Sequence, residues 1–106
     1  MTYNCVICGY GNLNKAQYNS FGDPTFEICD CCGFESGFDD DDQGYSFATY
    51  RDEWLLSGAT WFYIDTKPKD WSKKTLIKQL KRIGYDVENK YKVLDLESGS
   101  MEIKLK

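Results

Sequence analysis

A chain of 106 residues, 42% hydrophobic and 28% charged, can bury one core of marginal size, which gives a metal staple a purpose. No stretch approaches about eighteen apolar residues and no basic-then-apolar leader opens the chain, so a membrane span or secretion is not expected and a cytoplasmic protein is. The net charge of −4 weighs against general nucleic-acid binding, and the absence of histidine removes the commonest general base, the mixed zinc ligand and every Ser–His or Cys–His dyad.

The first element is a doubled phrase. Cys5-Val6-Ile7-Cys8-Gly9-Tyr10 returns as Cys29-Asp30-Cys31-Cys32-Gly33-Phe34, with twenty residues between the two pairs. A Cys-x-x-Cys turn brings two sulfurs close enough for one ion, and the following glycine lets the chain reverse without a Cβ clash. Two such turns close a tetrahedron from Cys5, Cys8, Cys29 and Cys32, which suits one Zn²⁺ and, as the lesser alternative, one iron. Cys31 is left over, expected outside the ligand set as an inert, partly exposed thiol. Alternation over Thr25-Phe26-Glu27-Ile28 predicts a short strand delivering Cys29 to the metal.

Residues 35–45 form an acidic stretch without periodicity, expected as a loop. Its run Asp39, Asp40, Asp41 and Asp42 lacks the glycine-centred alternation of a calcium loop. It is left as a solvated loop or a surface that meets a basic partner. Ser46 caps a predicted helix through about Leu56, with Phe47, Tyr50 and Trp54 on one face and Gly58 as the stop. Trp61-Phe62-Tyr63-Ile64 reads as a strand or a buried extended segment. A second helix starts at Asp70 or Ser72, buries Leu76, Ile77, Leu80 and Ile83, and ends at Gly84. Lys74, Lys78, Lys81 and Arg82 share its other side. The period then changes to two: strands over 91–97 and 101–106 join around Ser98-Gly99, with Met101, Ile103 and Leu105 on one face. The expected fold is α+β, a small zinc ribbon with two helices and a C-terminal β-hairpin. It forms one domain, 1–106, with a ribbon lobe at 3–34 and a helical and hairpin lobe at 46–106.

Tyr3-Asn-Cys-Val-Ile-Cys-Gly-Tyr, followed by Phe26-Glu-Ile-Cys-Asp-Cys-Cys-Gly-Phe-Glu-Ser-Gly-Phe-Asp-Asp, resembles a bacterial family of small cysteine-rich proteins named for its Cys-Pro-Cys-Cys motif. Tyr50-Arg51, Trp54, Ser57-Gly58-Ala59, Trp61-Phe62 and Pro68 with Trp71 also look like that family, so the likeness covers about residues 3–72. Val6 and Asp30 stand where the family has proline, while the cysteines and glycines are in place. The resemblance implies the metal-binding ribbon and carries no activity with it. The first knuckle is also similar to that of a rubredoxin.

Charge is segregated along the chain. Residues 1–66 hold eleven acids against Lys15 and Arg51, whereas residues 67–82 hold seven bases against Asp70. Such polarity suits an oriented protein partner, or two solvated faces. Asp39–Asp42 with Tyr45 and Tyr63 are the candidate acidic and aromatic contacts, and Lys74, Lys78, Lys81 and Arg82 the candidate basic ones. A four-thiolate site has no open coordination position, so enzymatic activity is not expected. The expected function is a zinc-stapled protein-binding module, in its sharper form an immunity or antitoxin protein that occludes a basic partner such as a nuclease toxin. The alternatives are a generic zinc-ribbon adaptor or regulator and a rubredoxin-like iron electron carrier. A monomer or weak dimer is expected.

Overall fold

Two short helices and a C-terminal hairpin pack against a loop-rich N-terminal third, an α+β arrangement. The computed structural model describes residues 1–106, Ser98 by its backbone alone. Helix α1 (Phe47–Leu56) starts at Ser46, whose Oγ accepts from the Thr49 N–H at 3.0 Å and satisfies one donor that a first turn leaves open. It ends where Gly58 (φ 97°) and Ala59 (φ 52°) turn left-handed. Glycine is required at the first of these, because a Cβ there would stand 2.9 Å from the Met101 carbonyl oxygen.

Helix α2 (Lys73–Lys81) follows Ser72, but Ser72 makes no capping bond to the backbone. The open first turn is met from elsewhere: the Lys73 N–H donates to Asp95 Oδ1 at 2.7 Å. Leu76 and Leu80 are fully buried, each contributing about 1.5–3 kcal/mol, while Ile77 and Ile83 are partly buried against the same cluster. Strands β1 (Tyr91–Asp95) and β2 (Met101–Leu105) pair antiparallel, Tyr91 opposite Leu105, Val93 opposite Ile103 and Asp95 opposite Met101. β1 lies on α2 and β2 on α1. Tyr91, Val93, Met101 and Ile103 point into the core, whereas Leu105, expected with them, is exposed. The first strand is shorter than its pattern because a 3₁₀ turn, Glu97–Gly99, occupies the link. No helix among the described residues is long and apolar enough to cross a membrane.

Three expected local structures are corrected. The strand over 25–28 does not form: Phe26 takes a left-handed φ of 61°, and its ring lies where a Cβ on Gly37 would come within 2.5 Å. Only isolated bridges join this region, Tyr3 to Leu13, Tyr18 to Pro24 and Ile28 to Glu35. The acidic stretch is not irregular, since Phe38–Asp42 closes one π-helical turn. Residues 61–64 are neither a strand nor a buried segment. Trp61 alone is buried, and Phe62, Tyr63 and Ile64 are 59%, 55% and 66% exposed, because the Phe62 and Tyr63 N–H groups turn to the carbonyls of Cys31 and Asp30.

Candidate metal centre

The two cysteine turns are near copies of one another. In the first, the Cys5 N–H donates to the Tyr10 carbonyl at 2.8 Å and the Gly9 N–H to the Cys5 carbonyl at 2.9 Å. In the second, Cys29 donates to Phe34 at 3.0 Å and Gly33 to Cys29 at 2.8 Å. Gly9 and Gly33 sit at φ 79° and 80°, the left-handed region that closes each loop. Both are also pressed by neighbours. A Cβ on Gly9 would lie 2.0 Å from the Gln79 carbonyl oxygen of α2, and one on Gly33 2.7 Å from the Phe62 ring.

The turns bring the Sγ atoms of Cys5, Cys8, Cys29 and Cys32 within 4.8 Å of one another. The Cys5–Cys32 and Cys8–Cys29 separations are 3.7 and 3.6 Å. A tetrahedron with metal–sulfur bonds of about 2.3 Å has edges of about 3.8 Å, so the four thiols can hold one metal ion. Their ionisation points the same way. Burial pushes the Cys8 and Cys32 thiols up. Cys29 is also raised: its hydrogen bond with Cys32 favours the thiolate, but those with Cys5 and Cys8 together with burial outweigh it. Burial opposes ionisation of Cys5 too, yet hydrogen bonds from Cys29, Cys32 and Cys8 prevail and hold it down. Four adjacent buried thiolates need a cation to coexist.

Side chains distant in sequence hold the first turn in shape. Gln17, buried, accepts from the Val6 N–H at 2.8 Å and donates to Cys5 Sγ at 3.2 Å, beside the Ile7 N–H at 3.4 Å. Turning N–H groups toward sulfur leaves carbonyls facing outward, and two arginines receive them. Arg51 of α1 donates from Nε to the Ile7 carbonyl at 2.6 Å and from Nη2 to that of Val6 at 2.9 Å. Its guanidinium carbon lies 4.7 Å from the centre of the Tyr85 ring. Arg82, just past α2, donates to the Gly9 carbonyl at 2.8 Å. Sequence reasoning missed Gln17 and Arg51. A signal existed for the second, as one of only two bases among eleven acids in residues 1–66.

Cys31 lies outside the four-sulfur cluster. It is completely buried, not partly exposed as expected, and its Sγ accepts from Gln79 Nε2 at 3.4 Å.

The candidate partner residues do not form one surface. Asp39 and Asp40 turn back on their own loop: Asp39 Oδ2 accepts from the Glu35 N–H at 2.7 Å, and Asp40 accepts from the Gly37 N–H at 2.7 Å and the Tyr18 hydroxyl at 2.5 Å. Burial works against the Asp40 carboxylate, but those donors outweigh it and hold its pKa down. Asp41 and Asp42 remain exposed. Tyr45 is half-buried and donates to Glu53 at 2.8 Å. Asp39, Tyr45 and Glu53 meet with Cys32 in one cleft, whereas Tyr63 stands apart from it. On α2, Lys74, Lys78 and Lys81 are exposed, and Arg82 is engaged with the first cysteine turn.

No protein-family model matches the chain, and no solved structure does. Two proteins of Bacillus subtilis (strain 168) are similar to it. The uncharacterized protein YoaQ is 34% identical over 107 residues, covering 82% of this chain and 91% of YoaQ. The uncharacterized protein YozI is 31% identical over 108 residues, covering 82% of this chain and 89% of YozI.

Proposed function

The chain belongs to the family that includes YoaQ and YozI of Bacillus subtilis, and we propose that it is a zinc-stapled module that binds a basic protein partner. Zinc suits a closed set of four thiolates, and none of the four cysteines is more than 6% exposed. Such a site contributes folding free energy and offers no position to a substrate. The proposal extends to the Cys-Pro-Cys-Cys family, since the cysteines and glycines that carry that resemblance build this centre. In this reading the protein works without catalysis, in the manner of an immunity or antitoxin protein that covers a toxin.

The observation that supports a basic partner is the cleft over Cys32, where Asp39 and Glu53 converge with no basic residue among its lining and the exposed Asp41 and Asp42 stand nearby in sequence. A surface of one sign speeds encounter with a partner of the other. The test has two parts. Metal analysis of protein purified from its native host should find zinc in a colourless protein. A red protein that bleaches on reduction would replace zinc with iron and binding with electron transfer. Affinity capture with nuclease treatment should then recover one basic protein, toxic when expressed alone. Binding should be lost in the Asp41→Asn, Asp42→Asn, Glu53→Gln triple variant. Capture unaffected by the triple variant would exclude this face. Loss of every partner on nuclease treatment would move the function to nucleic acid and the exposed lysines of α2.

A further inference from the structure

The cleft over Cys32 has a second property besides charge. One wall is a face of α1, where Tyr50, Glu53 and Trp54 recur at i, i+3 and i+4. The facing wall comes from the π-helical turn and its exit, Asp39 and Tyr45. The cleft is open to solvent and has a volume of about 360 Å³, at the lower end of ligand sites and sufficient for a single head group. The Tyr45 and Tyr50 rings meet edge to face, 5.4 Å apart at 80°, so their planes form adjoining walls, backed by Trp54, which is buried and donates from Nε1 to the Thr60 carbonyl at 2.9 Å.

Each carboxylate in the cleft has one oxygen engaged. Asp39 Oδ2 receives the Glu35 N–H, and Glu53 Oε2 receives the Tyr45 hydroxyl. Neither is in an ion pair among the described residues. The Tyr45 and Tyr50 rings beside two carboxylates that lack an ion-pair partner offer a partly solvated cation π faces for its charge and acceptors for its N–H groups.

We propose that this cleft is a cage for an organic cation, best matched by a guanidinium, whose flat fork can lie against a ring while donating to Asp39 and Glu53. The inference rests on the basic-partner reading only for the source of that cation. An arginine side chain of a protein and a free alkyl ammonium share the chemistry.

The test uses the metal-loaded full chain, followed by ¹H–¹⁵N NMR and tryptophan fluorescence. The probes are N-acetyl-arginine amide, its uncharged isostere N-acetyl-citrulline amide, and tetramethylammonium. The arginine probe should shift the amides of Tyr45, Tyr50 and Trp54 saturably and bind about tenfold more tightly than the citrulline probe. Glu53→Gln should weaken it about tenfold, and Tyr45→Leu about fivefold, whereas Asp65→Asn, an exposed carboxylate outside the cleft, should not change it. Should Glu53→Gln disturb the fold, Tyr45→Leu reports on the same cage. The arginine probe should also bind more tightly than tetramethylammonium, which has no N–H to donate, and the reverse order would overturn the guanidinium assignment. Equal affinity for the arginine and citrulline probes, or equal weakening by Asp65→Asn and Glu53→Gln, overturns the cage. A cage that binds in a protein that captures no basic partner leaves the cage standing and removes the interface, and the converse result removes the cage alone.

Discussion

Arg51→Met removes the link that ties α1 to the first cysteine turn while keeping an apolar stem of similar reach. The guanidinium makes bonds of 2.6 and 2.9 Å to the Ile7 and Val6 carbonyls and lies over Tyr85. Hydrogen bonds with a charged donor contribute about 1.5–3 kcal/mol each, and a partly exposed cation–π contact about 0.5–1 kcal/mol. The three share one side chain and are not additive, so the expected loss is about 3–5 kcal/mol. That is a large share of the roughly 5–15 kcal/mol available to a domain. Because both carbonyls belong to the turn whose Ile7 N–H faces Cys5 Sγ, metal affinity should also fall, by about 10–100-fold. Urea unfolding of the metal-loaded protein measures the first quantity, and competition with a chromophoric chelator the second. Arg51→Lys, which keeps the charge but not the fork, should fall between the parent and Arg51→Met. A loss below about 1 kcal/mol with unchanged chelator competition would refute the clamp.

Serine in place of Cys5 or Cys32 should release the metal or unfold the N-terminal third. Cys31→Ser should keep the metal, because Cys31 faces Gln79 and lies outside the cluster; metal analysis after gel filtration separates the two outcomes. Gly33→Ala should lower stability by about 1–3 kcal/mol in thermal melts, since left-handed backbone costs about 1–2 kcal/mol and Phe62 must also move. Gly22→Ala, at φ 81° with nothing within 4 Å of the new Cβ, should show the backbone cost alone. Burial disfavours the Asp52 carboxylate, but the Tyr91 hydroxyl at 2.6 Å and the Lys90 ammonium at 3.0 Å outweigh it and hold its pKa down. A depressed folded pKa means stability that is present above the ordinary carboxylate range and lost as pH falls through the folded value. Asp52→Asn should therefore be less stable than the parent by about 1 kcal/mol at pH 7, and the gap should close below about pH 3. A gap that stays constant with pH would exclude the charge as its cause.

The metal centre and the two helices were legible because each is local. Cysteine spacing, glycine after the second cysteine, Ser46 before α1 and Gly84 after α2 act over a few residues, and the structure has the turns and ends where they indicate. The errors fall where distant contacts decide. Nothing within 25–28 reveals that Phe26 will leave extended backbone to pack its ring on Gly37. Nor do residues 61–64 show that their N–H groups will bond to the second cysteine turn, which leaves three apolar side chains exposed. Asp40 read as solvated charge in a run of four, yet it accepts from the hydroxyl of Tyr18, 22 residues earlier. Arg82 read as one more base in an exposed row, and its role became visible only when Gly9 was placed 2.8 Å away.

Helix α1 is the element through which the four-cysteine cluster and the cleft are connected. Neighbouring residues reach different turns: Arg51 bonds to the first cysteine turn, while Tyr50 donates to the Cys32 carbonyl at 3.1 Å and, with Glu53 and Trp54, walls the cleft. Both cysteine turns are thereby fixed to one rigid segment of ten residues. The position of that segment relative to the turns is set by three bonds to backbone carbonyls, those of Val6, Ile7 and Cys32. A metal ion held by the four thiols would keep both loops closed and so help hold α1, with Tyr50 and Glu53, in place. Removing the metal should loosen the cleft before it unfolds the hairpin, whose buried face rests on α2 as well as on α1.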